Sequence, residues 1–431
     1  MKGLLLLDTD RNFANIARRI NGLDDDGQRI QHFMSDSPWD ARDVFMQIQR
    51  DIRSRPELSG GMLTLDESGD VRSGKKSAGA SRQHIGRLGT IAMGQVGVAL
   101  GYYRAGIWAM VDAELFLPEV WFDGEHRKMW KRLHIPPERT FATKPQIGLE
   151  MILRAKANGL PFSVVSADEL YGRSDSFRRR LDEEGITYIV DIPNDSVVYL
   201  EKPVVSAPRK ISSHRKPRSL SNECPVKVRA LVEHPDMVMK EVNIRHTERG
   251  LLTCRCAARR LWTVTGGGEV RPEWLLIRRE SDGAYSYSLS NAANDVSSEQ
   301  LAGWRSERYF AERVFQDVKS EAGWDELEAQ KYRSWMHHTA IDALALWYIA
   351  GLKLDWERDH PRDETLAYEF ELEVLPMLSM SNVRELLKAA MPLRQLTHEE
   401  SGRLVAKHLV NRSRSTACRR RKQRQNGKHE T

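Results

Sequence analysis

Cysteine is scarce: four in 431 residues (Cys224, Cys254, Cys256, Cys418), with no CxxC pair. That spacing excludes a disulfide-stapled scaffold and a zinc knuckle, and Cys254-Arg255-Cys256 is explained as well by alternation along a strand. Long apolar runs are also missing. A membrane span needs about 20 apolar residues, and the opening Leu4–Leu7 is interrupted at once by Asp8 and Asp10. The expectation is a soluble chain that stays inside the cell, with no membrane partner. A strong charge of one sign is absent too. The chain carries 66 Lys+Arg against 60 Asp+Glu, a net +6 and a pI of about 9.0. So small an excess does not identify a nucleic-acid partner, and only its distribution can. No internal repeat and no serine or cysteine nucleophile motif is present, while the length allows two or three cooperative units.

The patterning that is present changes along the chain. Residues 1–60 read as helices, with Ser37-Pro38-Trp39-Asp40 a good helix start in which Ser37 caps and Pro38 takes the first position. Past Gly60-Gly61, the runs 62–66, 91–103 and 106–117 predict three successive strands. A helix over 145–158, a strand over 162–168, a helix over about 174–184 and a strand over 186–192 follow. Three strands and then alternating helix and strand predict a mixed sheet with helices on its faces, the element order of a ribonuclease-H-like core over 61–193. Residues 194–223 are rich in Pro, Ser and basic residues and read as a linker. Alternating runs at 228–232, 237–243, 261–264, 274–278 and 285–289 predict a β-rich insertion, so that linker and insertion occupy 194–300. Residues 301–354 read as strongly helical and complete the core, and shorter helices cover 355–410. The basic end, 411–431, has almost no apolar residue and is expected to be disordered when alone.

Three carboxylates carry the chemistry. Asp66 closes the apolar run 62–65, Asp168 closes the run 162–167, and Glu312 sits in the helical stretch 308–319. Carboxylates at the carboxyl ends of strands face the crevice where open α/β sheets bind ligands. Two strand-end aspartates and a helix-borne glutamate, brought together, can hold two hard divalent cations, which stabilise the attacking and leaving oxygens of a phosphoryl displacement. On one continuous helix, Arg305, Arg308, Glu312 and Lys319 would project from one face, a carboxylate flanked by cations suited to metal beside phosphate. The competing reading is a solvated face with i,i+4 pairs such as Arg308–Glu312.

The spacing Arg308-x3-Glu312-x6-Lys319 resembles the signature around the catalytic glutamate of bacterial insertion-sequence transposases of the DDE type. The branch it resembles carries a β-rich insertion before that glutamate. Leu65-Asp66-Glu67-Ser68-Gly69, Gly74-Lys75-Lys76-Ser77-Ala78-Gly79, Arg82-Gln83 and Gly94-Gln95-Val96-Gly97-Val98 are similar to the segment around the first aspartate. Leu115–Trp121, Ala167–Gly172 and Phe315–Gly323 fit later landmarks, in consistent order from about Gln31 to His338. The resemblance implies a DNA transposase in which Asp66, Asp168 and Glu312 bind two Mg2+ ions, with Mn2+ as a substitute. Arg308 and Lys319 would then contact phosphates. It further implies cleavage at terminal inverted repeats of double-stranded DNA, strand transfer into target DNA, a homodimer in the synaptic complex, and a cytoplasmic, nucleoid-associated location. Two departures stand out. Arg305 occupies the place of a tyrosine in the signature, which alters or shifts one DNA contact. In addition, relatives carry an N-terminal DNA-binding region ahead of the position of Met1, so a truncated or shortened copy is expected. Glu67 is a candidate to support Asp66.

Lys75, Lys76 and Arg82 are candidates to line a DNA channel, against an ordinary basic hairpin loop. Trp262 and Trp274, interleaved with Arg259, Arg260, Arg278 and Arg279, could stack on an unpaired base; filling the core of a small β-domain is the favoured reading. His337-His338 reads as packing or a cap, because helix neighbours diverge by about 100°. The basic end predicts salt-sensitive, sequence-independent DNA affinity. Two alternatives to the transposase are a catalytically decayed or co-opted copy that represses repeats, and a nuclease acting on RNA hybrids.

Overall fold

A computed structural model describes residues 1–8, 10–206, 222–247, 250–326, 329–359, 378–391, 393 and 395–426. Four helices come first: α1 (Lys2–Leu6), α2 (Phe13–Asn21), α3 (Gln28–Ser35) and α4 (Ala41–Arg53). The cap of α4 is Asp40 rather than Ser37, its side chain accepting from the Arg42 amide at 2.9 Å. An aspartate directly before the first helical residue satisfies a free amide that Ser37 is too far upstream to reach.

The core sheet begins with β1 (Gly61–Val71), β2 (Ser81–Ile85), β3 (Thr90–Arg104) and β4 (Ile107–Leu115). The short strand β2 was not legible in the sequence; it pairs with the first residues of β3. After α5 (Gly124–Leu133) and α6 (Lys144–Ala157) come β5 (Phe162–Ala167), α7 (Glu169–Gly172), α8 (Asp175–Glu183) and β6 (Tyr188–Asp191). Strand β1 runs antiparallel to β3, β3 antiparallel to β4, and β5 and β6 run parallel to β1. The resulting order β4-β3-β1-β5-β6 is the ribonuclease-H-like topology expected from the element order.

The next strands are β7 (Val197–Val198), β8 (Val226–Lys227), β9 (Lys240–Thr247), β10 (Gly250–Val264), β11 (Val270–Arg279) and β12 (Tyr285–Ser290). Strand β12 pairs antiparallel with β6, so β12, β11, β10 and β9 extend the core sheet edge to edge. The insertion therefore shares the main sheet, and two apolar clusters built around its strands bury Leu275, Ile277 and Leu289, and Cys254, Cys256 and Leu276. Residues 228–232, read as a strand, lie in a 3-10 turn (Val228–Glu233) instead, and the strand read at 261–264 is the end of the much longer β10.

The region from 304 to 354 is not one helix. It contributes the end of α9 (Ser298–Glu307), α10 (Tyr309–Ala322) and most of α11 (Tyr332–Asp359). The break at Arg308 follows Ser306, whose hydroxyl donates back to the Ala302 carbonyl at 2.8 Å and competes with the helix ladder. Gly323, at φ 84°, ends α10 in a left-handed turn. On α11, His337 stacks on Trp39 at 3.7 Å and His338 bonds Asp342 at 2.6 Å, both packed inside. Helices α12 (Met380–Ala390) and α13 (His398–Asn426) follow. The start of the basic end is thus helical where disorder was expected: it continues α13 to Asn426 through a Pro- and Gly-free stretch rich in arginine, a good helix former. Among the described residues, no helix is long and apolar enough to cross a membrane.

Candidate active site

Register places the two aspartates. Leu65 pairs with Ala167 across β1 and β5, and Ala167 pairs with Val190 across β5 and β6. The next residue in each case is an aspartate, so Asp66, Asp168 and Asp191 form one row across three parallel strands: Asp168 and Asp191 at the carboxyl ends of β5 and β6, and Asp66 in the middle of β1, which runs on to Val71 past its pairing with β5 rather than ending there as the apolar run suggested. Neighbours in such a row point to the same face, about 4.8 Å from strand to strand. That face is the one α10 covers. Gly101 lies opposite Thr64 in the β1–β3 ladder, and a Cβ there would meet Thr64 Oγ1 at 2.7 Å and Val314 at 3.3 Å. Thr64 and Asp66 share a face, and Val314 is two residues past Glu312. The opposite face packs on α6, where Gly148 abuts Leu65.

Glu67 obeys the same alternation. It turns away from Asp66 to the α6 side and pairs with Lys144 at 2.7 Å. Asp66 Oδ1 accepts from the Glu67 amide at 2.7 Å, and Asp168 caps α7 by accepting from the Leu170 amide at 2.9 Å. Burial pushes the Asp66 carboxyl up to about 6; Arg308 opposes this and the charge of Asp168 adds to it. Burial also raises Asp168, with Arg308 again opposing and Glu67 reinforcing. Beside them the Tyr171 hydroxyl is fully buried without a hydrogen-bond partner among the described residues, and burial, Glu67, Asp66 and Asp168 hold its pKa well above the usual value.

Arg308 is the central cation. Its Nη1 donates to Asp191 Oδ2 at 3.0 Å and its Nη2 lies 3.9 Å from Asp66 Oδ2. Burial works against its charge, but Asp191, Asp66, Asp168 and Glu312 together keep its pKa above the usual value. Glu312 is exposed in the first turn of α10, one turn from Arg308. Among the described residues, no three His, Cys, Asp or Glu side chains stand at metal-holding spacing. The donor set nevertheless suits hard cations: two adjacent half-buried carboxylates, both driven toward protonation, with a third carboxylate within a turn of the arginine that faces them.

The remaining candidates fall outside this row. Arg305, on α9, donates from Nε to Asp191 Oδ1 at 2.6 Å, so it faces the aspartate row and not open solvent. Lys319 lies at the far end of α10, over the Trp324 ring and beside Asp70, because seven residues of helix carry it about 10 Å past Glu312. Lys75 and Lys76 in the β1–β2 connection and Arg82 on β2 are exposed. Trp262 sits four residues along β10 from Ala258, which lies three strands from Asp191 in the same cross-sheet row. That puts it on the order of 20 Å away, half-buried under Lys202. Sequence reasoning missed Asp191, although the signal was the one used for its neighbours: an aspartate closing an apolar run, here Ile189-Val190.

A cleft of about 940 Å³ opens at this row, lined by Asp168, Glu169, Arg173, Asp191, Tyr285 and Arg308 among others. A second cavity, of about 920 Å³, lies near β4, where Glu114 is already engaged by Arg42, Arg139 and Tyr332. That network is structural.

Residues 1–251 match the profile of the family described as DDE superfamily endonuclease, a span holding Asp66 and Asp168 and ending before Glu312. The chain is 30% identical over 188 residues to a protein described as a probable transposase for insertion sequence element IS701, from Microchaete diplosiphon. That alignment covers 42% of this chain and 44% of the relative, so the chain spans less than half the length of the relative it matches. Among solved structures, the NurA nuclease from Sulfolobus solfataricus aligns over 78% of this chain and 95% of its own, at 9% identity. The TM-score of 0.24 is too low for that likeness to inform the fold.

Proposed function

Because this chain belongs to the DDE superfamily endonucleases, we propose that it is a DNA transposase, cutting transposon ends and joining them to target DNA. The observation that carries the reading is the adjacency of Asp66 and Asp168, each one residue past the last pair of the β1–β5 ladder, beneath the helix that bears Glu312 and beside Arg308. Divalent cations held by Asp66, Asp168 and Glu312, Mg2+ or Mn2+, would supply charge stabilisation to the attacking and leaving oxygens of an in-line phosphoryl displacement.

The chain's own groups do the rest. The Arg308 guanidinium presents paired N–H donors in a fork that matches phosphate oxygens, and holds them against the aspartate row. The cleft beside Asp168 and Asp191 admits a strand, with Arg173 on its wall to meet backbone charge. No protein nucleophile is required, since water and then a DNA 3′-hydroxyl serve. Lys75, Lys76 and Arg82 would follow the duplex outside the cleft, Lys319 would meet phosphates past Asp70, and the exposed cations of α13 would add non-specific affinity. Pairing two ends would take two copies of the chain.

The test is cleavage of a terminal-inverted-repeat duplex with Mg2+, wild type against Asp168→Asn. The reading requires the variant to lose on the order of 10³-fold in rate while still binding the duplex. Equal cleavage by both would reject the assignment. Binding with no cleavage by either would favour a repressor derived from a transposase.

A further inference from the structure

Asp191 is held more tightly than either aspartate beside it in the row. Its Oδ1 accepts from Ser288 Oγ at 2.7 Å and from Arg305 Nε at 2.6 Å, and its Oδ2 accepts from Arg308 at 3.0 Å. Three donors from three elements (β12, α9 and the α9–α10 joint) converge on one carboxylate at the end of β6. The same Arg308 guanidinium stands 3.9 Å from Asp66, beyond hydrogen-bond distance. One cation is therefore shared unequally between two ends of the row, bonded at Asp191 and only nearby at Asp66.

We propose that Asp191 is a positioning residue that anchors Arg308 away from the Asp66–Asp168 pair, leaving those carboxylates open to a divalent cation. The inference rests on the proposed metal-binding role of Asp66 and Asp168. Arg308 has no other bonded acceptor among the described contacts, and Asp66 and Asp168 are the carboxylates next along the row. Once Asp191 is neutralised, the guanidinium collapses onto them and competes for the place of a metal ion. Arg305 shares in the device: its bond to Oδ1 fixes the carboxylate so that Oδ2 faces Arg308. This gives the arginine at position 305 a role inside the protein, in place of a direct contact with DNA.

The sign separates this role from a simple loss of negative charge. Removing a carboxylate weakens cation binding through the field alone, whether or not Arg308 is present. Removing an anchor weakens it only while Arg308 is there to move. The experiment is Mn2+ binding to the full chain without DNA, read by titration calorimetry or by the free-Mn2+ resonance signal. Wild type, Asp191→Asn, Arg308→Ala, the double variant and Asp168→Asn are compared, with circular dichroism to verify the fold.

Asp191→Asn should weaken Mn2+ binding about tenfold in the wild-type background, the size of one charge-assisted hydrogen bond redirected. It should change binding less than about twofold when Arg308 is alanine, and Asp191→Glu should restore most of the wild-type affinity. If the Asn variant does not fold, Asp191→Ser takes its place in the same cycle. Equal weakening in both backgrounds would make Asp191 a direct ligand or a field effect and overturn the proposal. So would indifference to Asp191 in a protein whose Mn2+ binding is lost in Asp168→Asn. Mn2+ binding unaffected by Asp168→Asn would instead overturn the metal reading, and the anchor with it.

Discussion

Replacing Asp66 with asparagine should make the metal-free protein more stable at neutral pH. The Asp66 carboxyl is raised from 3.8 to about 6 in the folded chain, chiefly by burial. A carboxyl raised by folding keeps its proton longer than it does in the unfolded chain. Between 3.8 and about 6 the folded state binds more protons, so stability falls as pH rises through that window and stays at the lower level above it. A rise of about two pH units is worth about 3 kcal/mol. An asparagine side chain has nearly the same shape, keeps an oxygen for the Glu67 amide, and never ionises. The assay is thermal unfolding in chelator at pH 8 and pH 4, wild type against Asp66→Asn. At pH 8 the variant should melt about 3 °C higher, given the unfolding entropy of a chain of this length. At pH 4 the gap should close. Adding Mg2+ at pH 8 should raise the wild type, by about 2.7 kcal/mol at a hundredfold excess over its dissociation constant, and leave the variant unmoved. A variant that melts at or below wild type at pH 8 would refute the reasoning, because Asp66 would then be a carboxylate already satisfied by its neighbours.

Three other perturbations separate the site from its surroundings. Gly101→Ala would place a methyl 2.7 Å from Thr64 Oγ1 and 3.3 Å from Val314. Lifting α10 off the sheet should cost about 1–3 kcal/mol in denaturant titration and lower end cleavage through Glu312. Glu67→Gln breaks a pair with Lys144 on the other face of β1, so it should leave the cleavage rate within about threefold of wild type, where Asp66→Asn abolishes it. Trp262→Ala should lower the melting temperature by a few degrees and leave duplex affinity and cleavage unchanged, because the ring lies far along β10 under Lys202. A drop in duplex affinity there would restore the base-stacking role.

The core topology was legible because, β2 aside, its strands announce themselves locally: apolar runs, glycine turns, and helices of the right length between them. Asp66 and Asp168 were legible for the same reason, as charges that end such runs. What the sequence could not express was register. Nothing local says that Leu65 faces Ala167 and Ala167 faces Val190, yet that ladder puts a third aspartate in the row and so explains Arg305. The break at Arg308 was hidden because both flanking segments keep helical periodicity and Arg308 itself keeps helical backbone angles. The predicted stripe is divided in its contacts: Arg305 and Arg308 bond Asp191, whereas Lys319 lies over Trp324 at the far end of α10. The edge-to-edge joining of β12 to β6 was equally invisible, since an alternating pattern fits a separate β-domain and an extended sheet alike.

Crystals of the full chain soaked in Mn2+ and measured at the manganese edge would test the central claim most directly. The account predicts anomalous density between the Asp66 and Asp168 carboxylates, with Glu312 turned toward it and Arg308 still on Asp191. Density elsewhere, or none beside a guanidinium seated against Asp66 and Asp168, would contradict it.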